Sequence, residues 1–259
     1  LKLGSGLKTI GEKAFFHNHG IESLDLPETV EKIDYAAFAE CLGLKRVSLG
    51  KAVAEVVDNP FLGCTALQAF EVDTGNKKYA VEDGTLYSKD YTTLYIYPNG
   101  KESKTFVLNT ATKKINDFAF WYCKNLEKVE FSPVFNEFGY RAFCGCSGLN
   151  NLIVKTETPV ENPYTDDVFE NVKKESCTLT VPAGSKQAYL ASRTWKDFKI
   201  VEAVSDAVES VYSEKTTVKN NGNNIVVSNV ASGFHTATLY DLMGRKISEA
   251  PVQSGSAQI

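Results

Sequence analysis

Three groups of residues have the types that carry chemistry. His17 and His19 flank Asn18 in an H-N-H string, a pattern found in nuclease centres and in H-x-H metal sites. Cys144 and Cys146 form a C-x-C pair with Cys177 downstream, and thiolates of that kind can hold zinc. Asp166-Asp167, and Asp83 with Asp90, offer carboxylates for a cation or for acid–base work. Each group is incomplete. The C-x-C pair has no fourth ligand at metal spacing. The acids sit in loop-like sequence without a basic partner, and "YTDDVFEN" lacks the alternating oxygens and glycine of a calcium loop. His235 stands alone, and there is no G-x-S-x-G, P-loop or G-x-G-x-x-G. A Ser–His–Asp site is assembled in space, but three histidines in these contexts argue against one. The expectation is a non-enzyme with no catalytic, cofactor-binding or metal residues.

The elements around these residues explain them better. "AFAEC" ends at Cys41 and "PFLGC" at Cys64; "AFWYC" ends at Cys123 and "AFCGC" at Cys146, each pair 23 residues apart. Phe15, Phe38 and Phe61 keep the same step, as do Phe120 and Phe143, with 36 extra residues between the two sets. Leu24, Leu26, Val30, Ile33, Phe38, Cys41 and Leu44 recur one period later as Val47, Leu49, Val53, Val56, Phe61, Cys64 and Leu67. A fixed period of this size is the mark of a solenoid. One unit offers about seven apolar side chains, each worth roughly 1.5–3 kcal/mol when buried. Ordering its backbone costs about 1–2 kcal/mol per residue, so a unit folds only by stacking on neighbours. The "L-x-L" segments read as short strands, and the "AF" segments as short helical or irregular returns.

The ladder position held by Asn18, Cys41, Cys64, Cys123 and Cys146 is where such repeats bond a polar or thiol group to the turn backbone. This reading favours buried free thiols over stacked disulfides, whose side chains would have to converge. It also leaves His17 and His19 as solvated turn residues beside Asn18.

The period is interrupted at about 73–108, where strand-like stretches at 79–81, 86–88 and 93–97 predict a β-meander that projects from the solenoid or extends its sheet. A cap is expected at about 177–202, with a helix from Ser185 to about Ser192 and with Trp195 and Phe198 closing the core. Residues 1–202 thus form the solenoid and 203–213 a linker. Residues 214–259 read as a small antiparallel, sandwich-like β-domain that is expected to be incomplete. Leu1 opens inside a repeat, as expected of a fragment or processed product.

The unit L-x-L-P-x-x-V-x-x-I-x-x-x-A-F-x-x-C-x-x-L, clean from Leu24 to Leu44, resembles the BspA-type leucine-rich repeat of surface proteins from Bacteroides-like bacteria. The "EDGTLYSKDYTTLYIYP" insertion and the "VPAGSKQAYLASRTWKDFKIVE" cap are similar to accessories of that family. "TLYDLMGRKI" is similar to the small β-domains that sort type IX secretion substrates, although the strand that usually follows is missing. The resemblance implies an extracytoplasmic, cell-surface or secreted adhesion module with no catalytic residues, whose partner is a protein or glycan of a host or neighbouring cell. The alternatives are a structural stalk supporting an upstream domain, and a hydrolase with an unrecognised site.

Charge and composition set limits on partners. A net charge of −4 over 259 residues gives no basic face for nucleic acid. No apolar run approaches the roughly 18 residues of a membrane span. A monomer with no cofactor is expected. Recognition is then sought on the surface. The strand row Lys2, Asp25, Ser48, Glu71, Val107, Glu130 and Ile153 faces outward, and Asp25, Glu71 and Glu130 are its candidate contacts. In the insertion Tyr79, Tyr87, Tyr91, Tyr95 and Tyr97 are candidates, since tyrosine suits interfaces. Packing of these tyrosines against the solenoid is the competing expectation.

Overall fold

A computed structural model describes residues 1–165 and 167–203. Beyond them it describes the strands Thr217–Asn220, Ile225–Ser228, Thr236–Tyr240, Lys246–Pro251 and Ser256–Gln258. The chain separates into two compact units, Leu1–Glu202 and Ala203–Ile259.

The first unit is a β-solenoid. Each "L-x-L" is a short strand paired in parallel with its copy on the next coil. Ser23–Asp25 pairs with Arg46–Leu49, which pairs with Ala69–Val72. Thr105–Val107, Lys128–Glu130, Asn151–Ile153, Thr178–Val181 and Lys199–Glu202 continue in the same way. The register advances by 23 residues, as in Leu24 opposite Val47. The repeat therefore places each buried Leu, Val or Phe over its predecessor.

The returns take the irregular of the two expected forms: the "AF" segments are turns. Most coils also carry a short second strand just before them, usually of two residues. Thr9–Ile10, Lys32–Ile33 and Glu55–Val56 form one such parallel sheet. Ile10, Ile33 and Val56 are buried and their neighbours face outward, so a single alternation suffices. Among the described residues the only α-helix is Lys186–Ala191, and the only 3₁₀ turn is Lys174–Ser176.

The meander extends this second sheet. Tyr79–Glu82 and Thr85–Ser88 pair antiparallel, Thr85–Ser88 pairs antiparallel with Thr93–Ile96, and the last strand runs parallel to Lys114–Ile115 of the following coil. Part of the segment read as insertion is in fact a repeat coil. Tyr97 stands 23 residues before Phe120, and their rings stack at 5.1 Å. Gly100 holds the cysteine ladder position, because a Cβ there would lie 2.5 Å from the carbonyl carbon of Ala66.

The core is two ring stacks. Phe15, Phe38 and Phe61 lie 4.9 and 5.6 Å apart with nearly parallel planes. Tyr97, Phe120, Phe143 and Phe169 follow at 5.1, 4.6 and 5.2 Å. The meander sits at the joint between them. At the far end Trp195 contacts Phe131, Phe138, Phe169, Tyr189 and Phe198, and its indole N–H donates to Val160 O at 2.8 Å.

In the second unit Thr217–Asn220, Ile225–Ser228 and Ser256–Gln258 form an antiparallel sheet, and Thr236–Tyr240 pairs with Lys246–Pro251. The linker positions from 204 on, His235, and the packing on which the sandwich-like expectation depends lie outside the described residues.

Candidate functional site

The ladder cysteines are internal. Cys41, Cys64 and Cys146 donate to the carbonyls of Phe15, Phe38 and Phe120 on the preceding coil at 3.2, 3.1 and 2.9 Å. Cys123 reaches Tyr97 O at 4.0 Å. All six thiols are free and buried. Contact with Cys41, and then burial, pushes the Cys64 thiol far up, and burial raises Cys177 to about 12. Cys144 rises to about 11, mainly through burial and then through the charge of Glu170. Cys64, Cys144 and Cys177 are therefore held as protonated thiols, not as nucleophilic thiolates, at neutral pH.

His17 lies 3.0 Å from Glu40 on the next coil and His19 packs near it, both at the surface beside an exposed Asn18. No group of three potential metal ligands occurs among the described residues. Asp167 pairs with Lys174, and Asp83 with Lys101; Asp166 lies outside the described residues. Asp90 is held down to about 2 by hydrogen bonds from Ser88 and Thr92, which makes it a turn-former.

The tyrosine candidates divide. Tyr79, Tyr87 and Tyr97 are 3%, 1% and 2% exposed, so their rings belong to the core and cannot meet a partner in the folded state. Tyr79 accepts the Val56 N–H at 2.9 Å and so fastens the meander to the first half of the solenoid. Tyr91 and Tyr95 are half-buried, packed against Tyr87 and Tyr79. The outward strand row is also less available than its charges suggest. Arg46 bridges Asp25 and Glu71 at 2.9 Å each, and Lys155 holds Glu130 at 2.6 Å.

Such pairing is general on this surface. Lys8–Glu31, Lys45–Glu22, Lys51–Glu28, Lys32–Glu55, Lys104–Glu127 and Lys114–Glu137 all join adjacent coils, at 2.5–3.4 Å. Each pair spans 23 residues, so the repeat that stacks the core also stacks opposite charges. Exposed pairs of this kind contribute at most about 1 kcal/mol each. Their larger effect is to engage the acids of these pairs within the coil surface, Asp25, Glu71 and Glu130 of the strand row among them.

What the pairing leaves open lies at the joint, on the turn edge. The segment between the stacked ring and the ladder position reads Ala39-Glu40, Leu62-Gly63, Trp121-Tyr122 and Cys144-Gly145 in four coils. The second residue of each pair has positive φ: 57°, 69°, 54° and 78°. Glycine suits that conformation, and a non-glycine residue there costs about 1–2 kcal/mol. Tyr122 is held there regardless. Its ring crosses Gly145, where a Cβ would fall 2.5 Å from it, and Lys124 lies 5.5 Å from its centroid. Tyr122 and Leu42 are 39% and 43% exposed. With Trp121, Glu40, Thr65, Asn99 and Asn125 they line an open groove of about 530 Å³. Trp121 also packs on Ala36, Ala39 and Leu62 from the first half.

No strand position or tyrosine candidate pointed to this groove; its one signal in the sequence is the pair Trp121-Tyr122 in "AFWYC", the only coil with tryptophan at these positions among the described coils.

Comparison with known proteins agrees with the coil geometry. The model of the BspA type leucine rich repeat region matches in six copies, over residues 1–102 and 93–219. The chain belongs to this family. Among solved structures, the pneumococcal vaccine antigen PcpA aligns at 18% identity, TM-score 0.46, over 76% of this chain and 71% of its own. A leucine-rich repeat protein from Eubacterium ventriosum aligns at 17% identity, TM-score 0.44, over 77% and 70%. A leucine rich cell surface protein from Faecalibacterium prausnitzii aligns at 15% identity, TM-score 0.42, over 76% and 69%. No curated protein matches the chain. No helix among the described residues is long and apolar enough to cross a membrane.

Proposed function

We propose that this repeat protein is a non-enzymatic binding module that acts outside the cytoplasm, at the cell surface or in secreted form, and engages a protein or glycan partner. The observation that carries the reading is the groove at the joint. Large aromatic and aliphatic side chains are exposed there together, one of them in a backbone conformation that disfavours it. Strain retained at an exposed aromatic fits a working surface. Family membership supports a binding role, and the buried, hydrogen-bonded thiols give no support to catalysis.

The test is capture by the purified chain from glycan and extracellular-matrix arrays, repeated with Trp121→Ala/Tyr122→Gly. A partner that binds through the groove loses at least about tenfold in affinity, as for removal of interface anchors. Undiminished capture by the double variant moves recognition elsewhere. If nothing is captured, and deleting coils only shortens the reach of an attached domain, the protein is a spacer. The self-neutralised charge of the coil surface favours that second reading.

A further inference from the structure

The same joint brings together a second set of residues, at the opposite corner of the "AF" turn. In regular coils the second-strand anchor and the stacked ring are five positions apart: Ile33 to Phe38, Val56 to Phe61, Ile115 to Phe120, Phe138 to Phe143. In the coil at the joint, Leu94 pairs with Ile115 and Tyr97 stacks on Phe120, so the step is only three positions. That coil lacks the corner. The coils on either side close directly across the space, with Asn59 Nδ2 donating to Phe118 O at 3.0 Å and the rings of Tyr35 and Phe118 meeting at 6.2 Å.

Two consequences follow. First, half-buried rings form an unbroken strip along the solenoid: Tyr35, Phe118, Tyr140 and Tyr164, at successive centroid distances of 6.2, 5.4 and 5.4 Å. Second, Asp58 and Asp117, which directly precede the bonded residues Asn59 and Phe118, are brought to the same corner. Burial, and then the charge of Asp117, raises the Asp58 carboxyl above its ordinary range. Both carboxylates also act on Tyr164.

Cations nearby are engaged with other acids, although the charge of Lys114 also reaches Asp117. Lys114 is held by Glu137 at 2.5 Å, and Lys32 is shared between Glu55 and Asp34 at 3.2 and 3.5 Å. Asp117 Oδ1 accepts the backbone N–H of Tyr140, at 2.7 Å. Among the described residues no cation lies within ion-pair distance of Asp58 or Asp117.

We propose that this strip is a docking surface for an arginine-bearing segment of a partner protein, its guanidinium seated between Asp58 and Asp117 and stacked on the strip. The proposal deepens the binding-module reading and rests on it. Two adjacent carboxylates call for a cation, and flat rings beside them favour a planar one. The strip already shows this chemistry internally, since the Arg141 guanidinium lies 5.5 Å from the Tyr140 centroid. A glycan would use the rings but would leave the two like charges facing each other.

The probe is a fluorescent Gly-Arg-Gly-Arg-Gly peptide, with its citrulline counterpart, followed by anisotropy on the full chain. Citrulline keeps the plane and loses the charge. Asp58→Asn/Asp117→Asn should weaken the arginine peptide about tenfold, and citrulline should weaken it similarly, as for loss of close charge pairs. Glu28→Gln/Glu31→Gln removes the same formal charge elsewhere and should change binding less than about twofold. Asparagine removes repulsion, so the Asp58/Asp117 variant should melt no lower than the parent and cannot fail merely by unfolding. Equal weakening by the two double variants, equal binding of both peptides, or no saturable binding overturns the proposal. If the arrays yield a partner that is indifferent to Asp58→Asn/Asp117→Asn, this inference fails while the binding-module reading stands.

Discussion

Replacing Tyr122 by glycine and by alanine gives opposite information about the groove. With 39% of the residue exposed, roughly three-fifths of its area is covered, mainly by Gly145 and by the Lys124 side chain. At about 25 cal/mol per Å² on about 100 Å² of apolar surface, that cover stabilises by about 2.5 kcal/mol at most. Both substitutions lose it. They differ in the backbone. At φ 54° alanine keeps the left-handed penalty and glycine does not, a difference of about 1 kcal/mol. At ordinary positions the order is reversed, since glycine is about 0.5–1 kcal/mol worse than alanine. The expected order is therefore parent, then Tyr122→Gly, then Tyr122→Ala, with the two variants about 2–4 °C apart in melting temperature for a unit of this size. Urea and thermal unfolding followed by circular dichroism, at equal protein concentration, read this directly. If the alanine variant is the more stable, the backbone at Tyr122 is not strained, and the argument that the ring is held there for binding collapses.

Three further outcomes test the remaining architecture. Phe120 is fully buried between Tyr97 and Phe143, so Phe120→Ala should destabilise by about 3–5 kcal/mol in denaturant titration. Phe15 has a ring neighbour on one side only, and Phe15→Ala should lose about half as much or less; equal losses would contradict a stacked core. The thiols of Cys144 and Cys177, raised to about 11 and 12, keep protons in the folded chain that the unfolded chain releases above about 9. Their contribution is complete below that pH and is lost as pH climbs through 11 to 12. Maleimide at pH 7.5 should accordingly leave all six cysteines unlabelled until denaturant is added, and rapid labelling of the native chain would refute their burial. Arg46→Gln leaves Asp25 and Glu71 unbridged, and it should lower the melting temperature more at 20 mM than at 500 mM NaCl; a salt-independent effect would mean that Arg46 acts through packing alone.

Recognition residues were harder to read than the fold, and particular positions show why. The cysteine ladder was legible because one residue type recurred every 23 positions. The short second strand was not, since Lys32-Ile33 or Glu55-Val56 offers two residues and no alternation to detect. Five tyrosines in one segment suggested a sticky surface, yet three of them fill core positions. Tyr97 stands in the place of a stacked phenylalanine, a fact hidden by the two residues missing between it and Leu94. Asp25, Glu71 and Glu130 looked free in the sequence, but their counter-charges come from neighbouring coils or a separate strand end.

By itself the sequence determined the period and the core ladder. Those features follow from burial, and burial repeats wherever the chain returns to the same place. Only the tertiary structure decided what happens where the period breaks. Asp58 and Asp117 are 59 residues apart, and Leu42 and Tyr122 are 80 apart. They share a surface because one short coil lets two stacks close on each other, a juxtaposition that depends on how far the chain rises at the joint rather than on any local pattern.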